Sequence, residues 1–228
     1  MRLSVSDVRQ AIHGCLSALL VLLGLALLPA TTARADDDEA GDFDFYVLAL
    51  SWSPTYCATA GARADPQQCR AARPFRFIVH GLWPQHERGW PDFCALPREN
   101  QPSREIVEGL FDIMPSRGLI QHQWRKHGSC TGLSAAAYFD LTRAAFEKIT
   151  IPAAFQNLRN GGRIGPDAVE TAFRMSNPGL RDNAIATTCD AGKLKEVRIC
   201  FDKELNFRSC PAVDRADCRA RVVEVPAP

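Results

Sequence analysis

Residues 77–86 read FIVHGLWPQH, an apolar run that passes into turn-forming and polar residues. Phe75, just before this stretch, Phe77 and Val79 alternate with polar or outward-facing positions, which is the period of a half-buried strand. The pattern predicts a strand that ends at His80, immediately before Gly81. This stretch therefore predicts one strand of the core and one histidine at the end of that strand.

A second stretch, HQWRKHGSC at residues 122–130, has the pattern of a helix. The predicted helix runs from Ile120 to His127 and is stopped by Gly128. With about 100° of rotation per residue, four polar side chains fall on one side at about 0°, 40°, 100° and 140°, namely His122, Lys126, Gln123 and His127. Trp124 falls at about 200° and is expected to pack inward. The polar face is suited to an oxyanion, and the alternative is a solvated face.

Further strands and helices are predicted in mixed order along the rest of the chain. A strand is predicted over Phe43–Trp52. Helices are predicted over Glu105–Met114, after Ser134 as an N-cap, and from Pro166 onward. Two strand-like alternations, the first of Val197, Ile199 and Phe201 and the second of Leu205 and Phe207, lie on either side of a turn at 202–204. The order lacks the regular spacing of βαβ units. The sequence therefore favours an α+β fold over a doubly wound sheet.

The first 35 residues have the parts of a removable export signal. Two arginines precede an apolar run from Leu16 to Leu28, and Ala33-Arg34-Ala35 has the form of a cleavage site. The run is shorter than the about 20 apolar residues that a membrane span needs. We expect a cleaved signal peptide at 1–35, an acidic flexible leader at 36–42 and a single catalytic domain at 43–228. This domain is expected to be periplasmic or extracellular, without membrane association after cleavage.

The charge of the chain is nearly balanced, with 27 basic and 26 acidic residues and a net charge of +1. Six of the acids lie within residues 36–44. One more acid, Asp7, and three basic residues, Arg2, Arg9 and Arg34, also precede residue 45. The body from residue 45 therefore has 24 basic against 19 acidic residues, a net charge of +5. A modestly cationic body is compatible with a polyanionic substrate, but this balance is too common to select a nucleic-acid partner.

Cysteine usage indicates disulfides. Cys15 lies in the signal, and eight cysteines follow it: Cys57, Cys69, Cys94, Cys130, Cys189, Cys200, Cys210 and Cys218. An even number in an exported chain predicts four disulfides, for which about 105 pairings exist. Only Cys200–Cys210 is favoured locally, because it would close a hairpin. A zinc site is disfavoured, since the sequence has no CxxC pair.

All four histidines that follow the signal, His80, His86, His122 and His127, lie in the two quoted stretches. Of these, His86 is expected to be an ordinary structural residue. Imidazole, with a reference pKa of about 6.5, can accept or donate a proton near neutral pH. RNA cleavage by its own 2′-hydroxyl needs a base, an acid for the leaving 5′-oxygen and a cation at the phosphate. The nucleophile is part of RNA, so we expect no metal or cofactor and no cleavage of DNA.

The two stretches resemble the signatures of the ribonuclease T2 family of secreted acid ribonucleases, which centre on His-Gly-Leu-Trp-Pro and His-Glu-Trp-x-Lys-His-Gly-Thr-Cys. Flanking segments agree as well: DFYVLALSWSPTYC at 44–57, MPSRGLIQ at 114–121 and EVRICFDKELNFRSCP at 196–211. The resemblance implies an α+β fold in which helices flank a twisted antiparallel sheet. It also implies an endoribonuclease that cuts single-stranded RNA through a 2′,3′-cyclic phosphate, and we expect a monomer.

The resemblance assigns roles to individual residues. It makes His127 the general base and His80 the general acid, and it has His122 bind phosphate and Lys126 stabilise the transition state. Trp83 would stack on a base of the substrate, beside Gln85 in the same binding pocket. A tryptophan of the core is the alternative interpretation of Trp83.

One catalytic position departs from the family pattern, because the family's glutamate is Gln123 here. Glutamine keeps a similar shape and hydrogen-bonding reach but loses the charge and the ability to shuttle a proton. We expect the protein to remain active, with a penalty of at most about 10²-fold. The alternative is a weakened or catalytically silent relative that binds RNA or a protein partner.

The family's disulfide pattern implies the pairs Cys57–Cys69, Cys94–Cys130, Cys189–Cys218 and Cys200–Cys210. The second pair would tie the loop after the first stretch to the end of the helix of the second. Two other enzyme classes remain as alternatives, a zinc-dependent nuclease and a cysteine hydrolase that uses Cys130. The even number of cysteines argues against a free thiol in the hydrolase.

Overall fold

The structure, a computed structural model, describes residues 39–95 and 100–228, which belong to one compact unit. The predicted signal peptide and residues 36–38 of the acidic leader lie outside the described residues. Within these ranges the strands are β1 Phe45–Trp52, β2 Phe77–Gln85, β3 Gly162–Ile164, β4 Ile185–Asp190, β5 Lys193–Phe201 and β6 Val223–Val225. No helix in the same ranges has the length and apolar character needed to cross a bilayer.

The strands form one sheet in the order β2-β1-β5-β6-β3, and β4 pairs with β5. All of these pairings are antiparallel except β5 with β6, which meet in parallel at Lys193 and Glu224. Together with the helices, this sheet confirms the predicted α+β class. Strand β1 is central to the site, because β2 and β5 flank it on its two sides.

The helices in the described ranges are α1 Ser53–Thr59, α2 Pro66–Cys69, α3 Arg104–Glu108, α4 Arg117–Lys126, α5 Ala135–Glu147, α6 Ala153–Gln156, α7 Pro166–Ser176 and α8 Pro211–Asp214. The predicted starts of α5 and α7 are confirmed, since Ser134 Oγ accepts from the backbone N–H of Ala137 and Pro166 opens α7. The prediction of a helix over Glu105–Met114 was wrong at its end. This helix stops at Glu108 because Gly109 takes the C-cap position.

Helix α4 also differs from its predicted bounds. It begins three residues earlier than Ile120, because Ser116 caps it with a side-chain oxygen that accepts from the backbone N–H of Leu119. It ends at Lys126, and His127 is the C-cap residue with φ −120° and ψ −48°. His127 therefore leaves the helix just where the polar face would have continued.

The core lies on one face of the sheet. Leu48, Leu50, Val197 and Ile199 are buried there beneath the helices, together with Trp124 of α4. The inward packing of Trp124 confirms the orientation predicted from its helical angle. The predicted return of the chain after β5 is reduced to a single antiparallel bridge between Phe201 and Phe207.

The prediction that the first strand ends at His80 was wrong, because β2 continues to Gln85. Gly81 pairs with Ala49 of β1 and Val79 pairs with Leu50, so His80 has no partner in β1. His80 is thus the extra residue of a β-bulge, a local irregularity that re-aims a side chain. The sequence pattern missed it because pairing with β1, and not the local alternation, keeps the strand going.

The described ranges contain four disulfides, and they are the four pairs that the resemblance implies: Cys57–Cys69, Cys94–Cys130, Cys189–Cys218 and Cys200–Cys210. Cys130 is therefore bonded to Cys94 and is not a free thiol, which removes the cysteine-hydrolase alternative. Since Cys130 follows α4 and Cys94 follows β2, this bridge links the two stretches that carry the histidines.

Candidate active site

The candidate site lies on the face of the sheet opposite the core. In the middle of this face, Ala49 of β1 pairs with Arg198 on one side and with Gly81 on the other. The next outward-facing position of β1, Ser51, pairs with Glu196. Because the residues of β1 and β2 here are small, the long side chains of Glu196 and Arg198 can lie across the sheet toward β2.

His80 is anchored by a hydrogen bond to Glu196 of β5. Its Nδ1 lies 2.6 Å from Oε1 of Glu196, and the Glu196 side chain is only 1% exposed. The other carboxylate oxygen, Oε2, accepts from Nε and Nη2 of Arg198 at 3.1 Å and 2.9 Å. The His80 side chain is one-third exposed. The imidazole is therefore anchored through Nδ1, and Nε2 takes no part in this contact.

Glu196 is ionised at any pH at which the protein would work. Burial raises the pKa of Glu196, but the hydrogen bond and charge of His80 and the charge of Arg198 outweigh burial and hold the pKa at about 2. A buried carboxylate that stays charged needs such partners. Glu196 therefore supplies a fixed negative charge directly behind His80.

Helix α4 lies across the cleft from His80, and its residue Gln123 contacts Trp83 of β2. Gln123 is buried, and its Oε1 accepts from Trp83 Nε1 at 2.7 Å. Both side chains fit only because residue 81 is glycine. A Cβ at Gly81 would lie 2.0 Å from Gln123 Oε1 and 2.5 Å from Trp83 Nε1.

His127 is buried at the end of α4. Its ring stacks on Trp83, with ring centroids 5.3 Å apart and an interplanar angle of 28°. Its Nδ1 has no hydrogen-bond partner among the described residues. Burial, followed by the positive charge of Lys126, lowers the pKa of His127 to about 3. The imidazole is therefore neutral above this pH and can accept a proton.

His122 and Lys126 lie nearer the solvent on the same helix. Burial and the neighbouring charge of Lys126 lower the pKa of His122. Lys126 Nζ lies 3.9 Å from Asp92 Oδ2 and 5.8 Å from the centre of the Phe93 ring. The Phe93 ring also meets His122 edge to face, at 6.2 Å between ring centroids. The polar face predicted for α4 is thus real, and an exposed aromatic ring borders it.

A cavity of about 320 Å³ joins these groups. Its lining includes all seven of the residues singled out from the sequence: His80, Trp83, Gln85, His122, Gln123, Lys126 and His127. Gln85 lies at the rim and donates from its side-chain Nε2 to the carbonyl of Pro84. His86 does not line this cavity, and its Nδ1 lies 4.0 Å from Asp44 Oδ2. A second cavity of about 570 Å³ adjoins the first and shares His80 and His122 with it.

The sequence analysis missed four residues around the cleft. Glu196 and Arg198 stand behind His80, and Trp90 and Phe93 are large hydrophobic residues that are more than half exposed at the rim. The signal for the first two was present, because Glu196 and Arg198 alternate with Val197 and Ile199 in KLKEVRICF. This alternation puts a glutamate and an arginine together on the face of β5 that turns away from the core.

No group of three or more His, Cys, Asp or Glu side chains in the described ranges is arranged to hold a metal ion. The titratable groups of the cleft are instead two imidazoles of lowered pKa, one imidazole bonded to a carboxylate, and one ammonium. Groups whose environments differ in this way can divide the work of a proton donor and a proton acceptor.

Comparison with known proteins agrees on one family. The model of the ribonuclease T2 family matches residues 43–210. A ribonuclease from Aeromonas hydrophila is 35% identical over 191 residues, which cover 82% of this chain and 85% of that protein. Ribonuclease I from Escherichia coli (strain K12) is 33% identical over 223 residues, which cover 78% of this chain and 83% of that protein.

Solved structures share the fold. An RNase-related protein from Calystegia sepium has a TM-score of 0.64 and 22% identity, covering 81% of this chain and 97% of its own. RNase NT, whose crystal structure contains 5′-AMP, has a TM-score of 0.62 and 24% identity, covering 82% of this chain and 99% of its own. At this level of identity the likeness extends to the fold alone.

Proposed function

The chain belongs to the ribonuclease T2 family, and from this premise we propose that it is a metal-independent endoribonuclease that cuts single-stranded RNA through a 2′,3′-cyclic phosphate. Family membership supports ribonuclease activity. The observation that carries the finer proposal is the contrast between two imidazoles in one cleft. His127 is buried and neutral, whereas His80 is bonded to the ionised carboxylate of Glu196.

In this proposal His127 is the general base. A buried imidazole with a pKa of about 3 is unprotonated at neutral and mildly acidic pH, so it is free to take the proton of the 2′-hydroxyl. Its stacking on Trp83 fixes the plane of the ring. The 2′-oxygen then attacks the adjacent phosphorus, and the P–O5′ bond breaks as the 2′,3′-cyclic phosphate forms.

His80 is the general acid that protonates the leaving 5′-oxygen. Glu196 accepts a hydrogen bond from Nδ1, so in the protonated imidazole the Nε2 proton is the one available to the substrate. In the second step the roles reverse, and water opens the cyclic phosphate. Each of these proton transfers typically contributes about 10²–10⁴-fold to the rate.

The remaining polar groups of α4 act on the phosphate. Lys126 is positioned to stabilise negative charge on the non-bridging oxygens, and His122 to bind the phosphate at the same helix face. Trp83 is half-buried, so one part of its ring can stack on a base while its Nε1 is held by Gln123. Gln85 borders this pocket. Base stacking of this kind contributes about 1–3 kcal/mol per base.

We also propose that the mature protein acts as an exported monomer after cleavage at residue 35. Four disulfides support an oxidising compartment, since such bonds persist outside the cytosol.

The proposed function predicts a particular product in the presence of a chelator. Single-stranded RNA incubated with the protein and excess EDTA is expected to give fragments with 2′,3′-cyclic phosphate ends, because the nucleophile belongs to the substrate. The ends are identified by mass spectrometry, and a DNA strand of the same sequence is expected to remain intact. Cleavage that stops on chelation would instead indicate a metal-dependent nuclease.

Gln123→Glu is the natural test of the departure from the family pattern. We expect the native protein to cleave RNA and the variant to be faster by at most about 10²-fold, because both proton-transfer imidazoles and Lys126 are already present. Steady-state cleavage of poly(U) by the two proteins measures this ratio. A native protein without activity, together with an active Gln123→Glu variant, would establish the alternative of a silent family member.

A further inference from the structure

We propose that Glu196 is a positioning residue of the reaction, whose buried carboxylate orients the imidazole of His80 so that Nε2 is the nitrogen that donates to the leaving group. This inference rests on the proposed function and adds a residue that neither family signature contains. It follows from the contacts of Glu196, its burial and the groups that surround His80.

The contact between the two side chains is short and directional. Nδ1 of His80 and Oε1 of Glu196 are 2.6 Å apart, within the range of a strong charge-assisted hydrogen bond. A carboxylate can only accept, so Nδ1 carries a proton in this bond. When the imidazole is protonated, its second acidic hydrogen is on Nε2, which is the nitrogen left to the substrate. The bond thus selects the nitrogen that donates.

Glu196 itself cannot move freely. Its side chain is 1% exposed, and Arg198 binds its second oxygen through both Nε and Nη2. The guanidinium of Arg198 lies over the Trp83 ring, 5.1 Å from its centre, in a cation–π contact. Trp83 in turn stacks on His127. A continuous series of contacts therefore runs from Glu196, which binds the proposed acid His80, to the ring of the proposed base His127.

The charge of Glu196 matters because several cationic groups surround His80, while Asp65, Asp190 and Lys195 line the adjoining cavity that shares His80. From α4, His122 and His127 repel a charge on His80, and Lys126 lines the same cavity. From β5, Arg198 is the other charged neighbour. Position 123, where the family has a carboxylate, holds a neutral amide. Glu196 is therefore the carboxylate in direct hydrogen-bond contact with His80.

The test compares two substrates that differ only in their leaving group. Uridylyl-(3′→5′)-uridine releases an alkoxide that must be protonated, whereas uridine 3′-(4-nitrophenyl phosphate) releases a stable phenolate. For Glu196→Gln we expect kcat on the dinucleotide to fall about 10–100-fold with KM nearly unchanged, as is typical when the partner of a working histidine is lost. On the aryl substrate we expect a fall of less than about threefold, because no acid is needed.

Both substrates are assayed on one preparation, so the ratio of the two rates does not depend on the fraction of folded protein. Glu170→Gln is the matched control, since Glu170 is a partly buried glutamate that binds the backbone N–H of Thr187 and does not line the cleft. It should change neither rate. Glu196→Asp keeps the charge and is expected to recover part of the loss on the dinucleotide.

Equal losses on the two substrates, or no loss on either, would overturn the role of Glu196 while leaving the proposed function intact. If the wild-type protein cleaved neither substrate, the proposed function would fail first, and the positioning role with it. The two failures are therefore distinguished by the wild-type rates.

Discussion

Replacing His127 with alanine is expected to lower kcat/KM for RNA by about 10²–10⁴-fold, and replacing His80 is expected to cost about as much, because each variant removes one of the two proposed proton transfers. The side chain of His127 is buried against Trp83, so its variant must be checked for folding by circular dichroism. His86→Ala is the matched control. His86 lies outside the cleft, and its removal should leave the rate within about twofold.

The same pair of variants separates the acid from the base. With the 4-nitrophenyl substrate, His80→Ala should regain most of the lost rate, whereas His127→Ala should not, because the 2′-hydroxyl still needs a base. The double variant should be little slower than the worse single variant, since residues that act as a unit are not additive. Recovery by His127→Ala instead would reverse the two assignments.

Gly81→Ala is the second change for which we expect a large effect. Its new methyl group would lie 2.0 Å from Gln123 Oε1 and 2.5 Å from Trp83 Nε1, so the hydrogen bond between these side chains must break or shift. Overpacking of this kind costs about 1–3 kcal/mol of the free energy of unfolding. Displacement of Trp83 should also disturb His127, which stacks on it, and a misplacement of about 1 Å can cost about 10²-fold in rate.

Urea unfolding and RNA cleavage, measured on the same Gly81→Ala protein, test both parts of this prediction. Gly162→Ala is the control, because a Cβ at Gly162 would have no neighbour within 4 Å and the residue lies far along the chain in β3. If Gly81→Ala were as stable and as active as the wild type, the close packing of Gln123 and Trp83 over this glycine could not be required.

The parts of the site that are predictable from the sequence are those that depend on local geometry. The angles of His122, Gln123 and Lys126 follow from their spacing on one helix, and all three line the cavity. The burial of Trp124 follows in the same way. What the spacing could not provide is the end of α4, where His127 leaves the helical conformation as the C-cap.

The missed parts depend on contacts between residues that are far apart in the chain. Glu196 lies 116 residues after His80, and only the order β2-β1-β5 brings them within 2.6 Å. The extent of β2 past His80 depends on its pairing with β1 in the same way. Local alternation in KLKEVRICF places Glu196 and Arg198 on one face of a strand, but it does not say which strand lies next to it.

The bulge at His80 has a consequence for how this protein can be altered. The ladder between β1 and β2 is complete on both sides of His80 without any contribution from it. The residues that pair with β1 thus stabilise the sheet, and the proposed acid, His80, is a residue that does not pair. An engineer can therefore exchange this one side chain without re-registering the sheet. A protein that still folds and keeps the rest of its cleft, but cleaves RNA about 10²–10⁴-fold more slowly, is expected to be one substitution away.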